Sequence, residues 1–192
     1  MLNKPFLWIA CATLTFAQAQ HSIWLDLNGN DLEGGYEQNS AVGSSSSLYY
    51  GADLLRAEDE YNDMNMLVGA HAVIIGSTPL RGLSVGVGLR GVFAWIDHGS
   101  DDTKPFALPI KALAIYTFPL EVHTSIMASF LFAPKSLSFN DADRFTEIRV
   151  EAAIEPIEGG MFFAGWREVE FEFGNYDYEF NEAAYFGIRM SF

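Results

Sequence analysis

The chain has 192 residues, with 25 acidic and 11 basic side chains and a net charge of -14. So few basic residues argue against nucleic-acid binding, because phosphate recognition relies on clustered Lys and Arg. An apolar fraction of 49% and an aromatic fraction of 15% argue against a disordered chain. The totals fit a soluble globular domain and a membrane β-barrel equally well, so the distinction depends on where the apolar residues lie.

Residues 1–19 have the features of a cleaved secretory signal peptide. Lys4 precedes an apolar run over 6–16, and Ala17-Gln18-Ala19 forms the small-residue pattern of a cleavage site. The run is too short for a transmembrane helix, which needs roughly 20 residues. We therefore predict an exported protein whose single mature domain comprises residues 20–192.

The only cysteine, Cys11, lies inside the predicted signal peptide. The mature domain is therefore expected to contain no disulfide, no thiol nucleophile and no Cys-ligated metal. A buried N-terminal helix and a lipoprotein signal that uses Cys11 are the alternatives. The lipoprotein signal fits poorly, because Cys11 lies midway through the apolar run.

From residue 22 onward the sequence predicts β-strands. Apolar and polar residues alternate within short segments that are separated by Gly, Pro, Asn and Asp. Helical periodicity is not convincing anywhere in this part, and no later stretch is long and apolar enough for a transmembrane helix. The ten predicted strands cover residues 22–28, 31–38, 46–57, 64–75, 83–96, 106–118, 121–133, 145–155, 161–173 and 181–192.

The alternation is typical of a membrane barrel, in which apolar side chains face lipid and polar side chains face the interior. The clearest segment is 145–155: one face carries Ile148, Val150, Ala152 and Ile154, and the other carries Glu147, Arg149 and Glu151. A soluble periplasmic ligand-binding barrel, with its apolar face inward, is the competing architecture. Segment 161–173 fits neither orientation, because Arg167 shares a face with apolar residues; either a bulge shifts the phase or the strand rises above the membrane.

The connections predict an up-and-down antiparallel order. Pro119-Leu120 and 156–160 are tight turns, whereas 97–105, 134–144 and 174–180 are longer and acidic, as outward loops are. Because Asn28-Gly29-Asn30-Asp31 predicts a tight hairpin, a barrel of eight strands with a short N-terminal hairpin remains an alternative to ten.

Aromatic residues are predicted to form two girdles, one at each membrane interface. One set lies at the periplasmic ends of strands and the other at the opposite ends. The first set is Phe118, Phe162 and Phe192, and the second is Trp95, Phe106, Phe132 and Phe145.

The last strand alternates to a terminal Phe and resembles the C-terminal signature of bacterial outer-membrane proteins. The residues that carry this resemblance are Tyr185, Phe186, Ile188, Met190 and Phe192. The resemblance implies insertion by the barrel-assembly machinery.

Several motifs together resemble the YfaZ-like family of outer-membrane proteins. They are Trp24-Leu25-Asp26-Leu27-Asn28, Phe132-Ala133-Pro134-Lys135-Ser136-Leu137, Gly165-Trp166-Arg167 and the closing strand. Trp166 and the large number of acids depart from the family pattern. The resemblance implies a small barrel in the bacterial outer membrane, in contact with its lipids, without an assigned activity; we expect a monomer.

Alternation also predicts which charged side chains face the interior. The predicted ion-pair network consists of Asp53, Arg90, Lys111, Glu147, Arg149, Glu151 and Arg189, and the same faces carry Asp26, Glu33, Glu121, His71 and His123. Charges in a narrow lumen must pair, because an isolated buried ion costs several kcal/mol. We therefore predict a largely plugged interior and a structural or interaction role; a narrow cation-preferring pore is the alternative.

Chemistry-bearing clusters are few. Glu121, His123 and Ser125 share one strand face and contain the groups of a hydrolase triad, but neighbours on one face lie about 7 Å apart. A lipid hydrolase is therefore a weak alternative, and we predict no enzyme activity and no cofactor. Residues 97–102 and the Asp26–Asp31 turn both contain clustered side-chain oxygens. We interpret the first segment as a solvated loop and the second as a hairpin turn, and we predict no metal site.

Overall fold

The chain folds as an all-β antiparallel barrel. The computed structural model describes residues 20–58, 64–96, 103–140, 142–174 and 176–192. The strands are β1 Gln20–Leu27, β2 Leu32–Ala41, β3 Ser46–Glu58, β4 Met64–Ser77, β5 Leu83–Trp95, β6 Phe106–Ala107, β7 Ile110–Phe118, β8 His123–Ala133, β9 Ser138–Phe139, β10 Arg144–Ile157, β11 Gly160–Phe173 and β12 Tyr176–Ser191. A short 3-10 helix covers Lys135–Leu137.

Ten long strands close the barrel, which confirms the predicted fold class and strand number. Each of them is antiparallel to the next in chain order, and the short strands β6 and β9 add a small extension to β5. Closure comes from β1, which pairs with both β2 and β12. The alternative of eight strands plus a separate hairpin is therefore wrong, because the N-terminal strand completes the wall.

Both described ends of the chain lie at one end of the barrel, which we call the terminal end. His21 and Phe192 exchange backbone hydrogen bonds there, at 3.0 and 2.8 Å. The opposite end, which we call the loop end, carries the connection from β5 to β7 and the connection from β8 to β10. The predicted signal peptide with Cys11, and residues 97–102 with their clustered oxygens, lie outside the described residues.

The predicted acidic loop 174–180 is wrong in extent. Strand β12 already begins at Tyr176, so Gly174 and residue 175 alone separate it from β11. The acids in this stretch suggested a loop, but they lie on the outer face of a strand that continues to the loop end.

Apolar side chains cover the outside of most of the barrel. On β5, Val85, Val87 and Leu89 are exposed, and the same is true of Ile126 and Phe130 on β8. The 13 residues of β5 rise about 3.3 Å each, so a tilt of about 40° leaves roughly 30 Å of height. This apolar band therefore has the height of the hydrocarbon layer of a bilayer, about 30 Å.

The interior at the loop end is filled by apolar packing, which we call the plug. Its side chains are at most 7% exposed, and they come from most of the strands around the barrel: Leu55, Ala57, Leu67, Val92, Ala94, Ile96, Ala107, Leu131, Ala133, Ala142, Phe145, Val169, Phe171, Phe173 and Phe180. The placement of Phe145 in the outer aromatic girdle is wrong, because Phe145 is 0% exposed and packs edge-on against Phe171 inside the barrel.

Strand β11 explains why its sequence fits neither orientation. Its inward face runs without interruption from Met161 through Arg167 to Phe173, while Trp166 and Glu168 face outward. The irregularity lies on the partner strand, where Phe180 is inserted between the residues paired with Val169 and Glu170. Side chains of β11 therefore alternate between the inside and the outside without a shift. Toward the loop end its inward side chains become apolar and its outward side chains become acidic.

No helix among the described residues is long and apolar enough to cross a membrane.

Candidate functional site

The interior on the terminal side of the plug is a cavity of about 330 Å³, which we call the blind cavity. Its mouth is lined by polar residues at the terminal end of the strands, such as Gln20, Thr117 and His123. At its inner end lie Glu33, Asp53, Arg90, Glu147 and Arg149, and Arg167 connects Glu33 to Asp26. We call these seven ionisable side chains the charged layer. Beyond this layer lies the plug, so the cavity is closed at the loop end.

Arg90 organises one half of the charged layer. Its guanidinium donates to the carboxylates of Asp53 on β3 and Glu147 on β10, and all three side chains are at most 5% exposed. Gly69 makes room for this pairing, because a Cβ there would lie 2.5 Å from Arg90 Nε and from Asp53 Oδ2. A small residue on one strand thus accommodates a large ion pair from its neighbours.

Glu33 organises the other half. Arg149 Nη2 donates to it at 2.9 Å, and Arg167 also donates to it. Asp26 lies directly across from Glu33 in the β1–β2 ladder, and its Oδ1 is 3.5 Å from Arg167 Nη1. Arg167 therefore neutralises two acids that would otherwise repel each other across the ladder.

Arg167 is also held by two groups on β12, Asn181 and Tyr185. Its Nε donates to Asn181 Oδ1 at 2.8 Å, and its guanidinium lies 5.3 Å from the centre of the Tyr185 ring. Asn181 in turn donates to Asp31 at 2.7 Å. Because Arg167 is 1% exposed, these contacts replace part of its hydration shell, while its Nη2 is buried and has no hydrogen-bond partner among the described residues.

The predicted interior network is only partly one network. Asp53, Arg90, Glu147 and Arg149 come together as described, and Arg189 lies beside Glu151 at 3.7 Å as a separate, looser pair. Lys111 lines the cavity but has no ion pair within 4.0 Å among the described residues. The charge of Lys111 is thus left without a partner.

The sequence pattern missed two members of the interior. Arg167 was set aside because its neighbours at i+2 and i+4 are apolar, yet those neighbours belong to the plug. Glu37 was not considered, although its Oε2 lies 3.1 Å from His71 Nε2. Glu37 stands four residues after Glu33, so the period-two alternation of β2 was a signal that could have found it.

The hydrolase candidates are not assembled. Glu121 lies exposed in the turn between β7 and β8, outside the cavity, so its predicted position in the lumen is wrong. His123 and Ser125 both line the mouth, but no hydrogen bond joins them among the contacts of the described residues. This arrangement lacks the contact between base and nucleophile on which a triad depends.

The oxygen-rich turn between β1 and β2 is satisfied by the protein itself. Asn28 Oδ1 accepts from the backbone N–H groups of Asn30 and Asp31, both at 2.8 Å. The Asp31 carboxylate accepts from Asn28, from Asn181 and from the backbone of Glu58. In the part of the chain that the structure describes, no group of three or more His, Cys, Asp or Glu side chains could hold a metal ion.

The residues of the C-terminal signature fall on two faces. Phe186, Ile188, Met190 and Phe192 are exposed on the outside of the barrel. Tyr185 points inward instead, where its hydroxyl donates to Glu151 Oε2 at 3.3 Å. The outward set forms the apolar outer face that the alternation predicts.

Beyond the apolar band, the outer faces of β11 and β12 carry a ladder of like charges. Glu168 lies across from Glu182, Glu170 from Glu179, and Glu172 from Asp177. Partial burial raises the pKa of Glu168, and the negative charges of Glu170 and Glu182 raise it further. Carboxylates this close together must be hydrated, because burying unpaired charges in an apolar environment costs much free energy. This part of the outer surface therefore faces water.

Comparisons with known proteins identify no family for this chain. No family model matches the chain, and no curated protein matches it. A solved structure described as a bacterial polysaccharide outer membrane secretin is similar, with a TM-score of 0.43 and 11% sequence identity over 90% of this chain and 68% of that chain. At this TM-score and identity the likeness supports no conclusion about this chain, and the resemblance to the YfaZ-like family stays a prediction.

Proposed function

We propose that this protein is an outer-membrane β-barrel of the bacterial envelope, with a structural or interaction role and a closed interior. The observation that carries the proposal is the arrangement of polarity. Side chains exposed on the outside are apolar over about 30 Å of height, and the interior at the same height holds ion pairs. In water this arrangement would expose a large apolar surface and bury charges, both at a cost in free energy.

The reversal of polarity on β11 and β12 supports one orientation. At the loop end the apolar residues turn inward and form the plug, while Glu168, Glu170 and Glu182 face outward. This part has the polarity of a soluble barrel, so we place it in the aqueous phase outside the cell. The terminal end then faces the periplasm, as tight turns and chain ends do in barrels of this kind.

The plug argues against a through-pore. Leu131, Phe145 and Phe171 are each 0% exposed, so the apolar packing leaves no space for water between them. A hydrated ion would have to displace this packing and then cross the charged layer. We therefore expect no steady current from the folded protein in a planar bilayer, and a cation-selective current would support the pore alternative instead.

A substitution on the outer face separates a membrane barrel from a soluble one. Val87 is 62% exposed at mid-height of the apolar band. In a bilayer, Val87→Lys should destabilise the barrel by about 2–4 kcal/mol, whereas on a soluble protein a surface substitution costs less than about 0.5 kcal/mol. Glu170→Lys, on the outer face beyond the band, is the matched control and should be tolerated in both cases.

The measurement is membrane fractionation combined with a heat-modifiability gel. The parent protein and Glu170→Lys should sediment with outer membranes and change mobility on boiling, and Val87→Lys should show much less of the folded, membrane-associated form. Recovery of all three proteins in the soluble fraction would refute the membrane proposal.

The hydrolase alternative has its own test. Purified protein is incubated with envelope lipids and compared with Ser125→Ala. We expect no release of fatty acid from either protein, whereas release that disappears in Ser125→Ala would establish an enzyme.

A further inference from the structure

We propose that the blind cavity binds a small carboxylate with an apolar chain, whose carboxylate lies against Lys111 and whose chain points to the mouth. The inference goes beyond the envelope role proposed above. It depends on the cavity and its charges, and it holds whether or not the barrel lies in a membrane.

The pairing of charges in the cavity leaves one lysine without a close partner, although the five carboxylates of the lining outnumber its four Lys and Arg side chains. Every carboxylate that lines it has a cationic or imidazole partner within 4.0 Å: Glu33 with Arg149, Glu37 with His71, Asp53 with Arg90, Glu147 with Arg90 and Arg149, and Glu151 with Arg189. Lys111 is the one Lys or Arg of the described cavity lining that has no such partner. An ammonium group in a narrow interior favours an anion, because an unpaired buried charge costs several kcal/mol.

The strand register explains why the protein itself supplies no partner. Lys111 lies between Gly88 on β5 and Leu131 on β8, its direct neighbours in the two ladders. Gly88 has no side chain, and Leu131 belongs to the plug. Lys111 therefore stands at the closed end of the cavity, directly on the terminal side of the plug.

The wall that leads from Lys111 to the mouth is apolar. Leu113 and Ile115 follow Lys111 on the same face of β7, and Val73 and Ile75 on β4 and Met127 on β8 lie on the same side of the barrel. Gly86 lies between β4 and β7 and lets Ile75 and Leu113 pack close together, because a Cβ there would lie 2.9 Å from Ile75 Cγ1 and 3.1 Å from Leu113 Cγ. One charged end and a continuous apolar side match a ligand with a charged head and an apolar chain.

The size and the single opening restrict the ligand. A volume of about 330 Å³ is at the lower end for small-molecule sites. A water molecule occupies about 30 Å³ in the liquid, so the cavity has room for roughly ten water molecules. A ligand with roughly ten non-hydrogen atoms, such as octanoate, would fill the same space. Because the plug closes the far end, the ligand enters and leaves at the terminal end and is bound without passing through.

Trp24 provides a direct readout, because it lines the cavity whereas Trp95 faces outward. The mature barrel, folded in lipid nanodiscs, is titrated with 8-bromooctanoate, whose bromine quenches nearby indole fluorescence. Empty nanodiscs and the Trp24→Phe variant measure the quenching that comes from ligand dissolved in lipid. We expect saturable quenching in the parent protein and loss of its saturable part in Trp24→Phe.

Two comparisons test the role of Lys111. Lys111→Met should weaken binding at least tenfold, while Lys135→Met, at a lysine that is 81% exposed on the loop side, should leave it unchanged. Competition in the parent protein should be at least tenfold stronger with octanoate than with octan-1-ol or octylamine, a comparison that does not require any variant to fold. Equal binding by Lys111→Met, stronger competition by octylamine, or no saturable quenching would each overturn the proposal.

Discussion

Arg167 is the residue whose loss should damage the barrel most. Its guanidinium touches both Glu33 and Asp26, and all three side chains are 1% exposed. At the 3.5 Å separation from Asp26 and an effective dielectric constant of about 20, one such attraction amounts to about 5 kcal/mol. Arg167→Met keeps an unbranched apolar stem but removes the guanidinium. Asp26 and Glu33 then face each other across the β1–β2 ladder, with Arg149 as the remaining counter-charge.

We therefore expect Arg167→Met to lower the free energy of unfolding by about 3–5 kcal/mol, the usual cost of breaking a buried ion pair. The measurement is equilibrium urea unfolding of the barrel in liposomes, followed by tryptophan fluorescence. Asp26→Asn in the Arg167→Met background should recover part of the loss, because it removes one of the two facing charges.

Arg144→Met is the matched control. Arg144 also contacts two acids, Glu172 at 2.9 Å and Asp177 at 3.4 Å, but its side chain is 41% exposed on the outer face. Exposed pairs contribute at most about 1 kcal/mol. If Arg167→Met and Arg144→Met cost the same, or if Asp26→Asn brings no recovery, the assignment of Arg167 as the charge that joins both acids is wrong.

Four further substitutions, one of them a control, test the outer ladder and the inner glycine Gly69. Glu182→Lys converts the repulsion with Glu168 into attraction, so it should stabilise the barrel by about 0.2–1 kcal/mol, and the gain should shrink when urea unfolding is repeated in high salt. Because the pKa of Glu168 is raised in the folded barrel above its ordinary value of 4.5, its ionisation opposes folding as the pH rises through and above that value. Glu168→Gln should therefore match the parent at acidic pH and become relatively more stable toward neutral pH, and a constant difference between pH 4 and pH 8 would contradict this sign. Gly69→Ala places a methyl group against the Arg90 guanidinium and should cost about 1–3 kcal/mol, while Gly29→Ala, with nothing within 4 Å of the new Cβ, should unfold at the parental urea concentration.

Much of the barrel wall could be predicted from local pattern. A strand places successive side chains on opposite faces, so alternation in 145–155 was enough to assign Val150 outward and Glu147 inward, as the structure has them. The turn residues marked the strand boundaries well enough for ten strands to be counted. The C-terminal run to Phe192 was assigned in the same way, and four of its residues face outward.

The errors at Phe145 and Arg167 share one physical cause. Phe145 and Arg167 were judged by the rule that apolar residues face lipid and polar residues face the interior at every height. That rule depends on the surrounding phase, and beyond the apolar band the preference is inverted. A periodic pattern does not contain the height of a residue along the barrel axis, so Phe145 was assigned to the outside and Arg167 to no face.

The sequence by itself determined which residues share a face of each strand and that the interior holds charge, because these properties follow from the two-residue repeat of a strand. It favoured ten strands and left eight as an alternative. Only the tertiary structure decided which charges meet. Arg167 and Glu33 are 134 residues apart and come together because β1 closes the barrel against β12. The same closure leaves Lys111 without a partner between Gly88 and Leu131. Pairing across a closed barrel depends on the register of every ladder around it, and that information is not contained in any single strand.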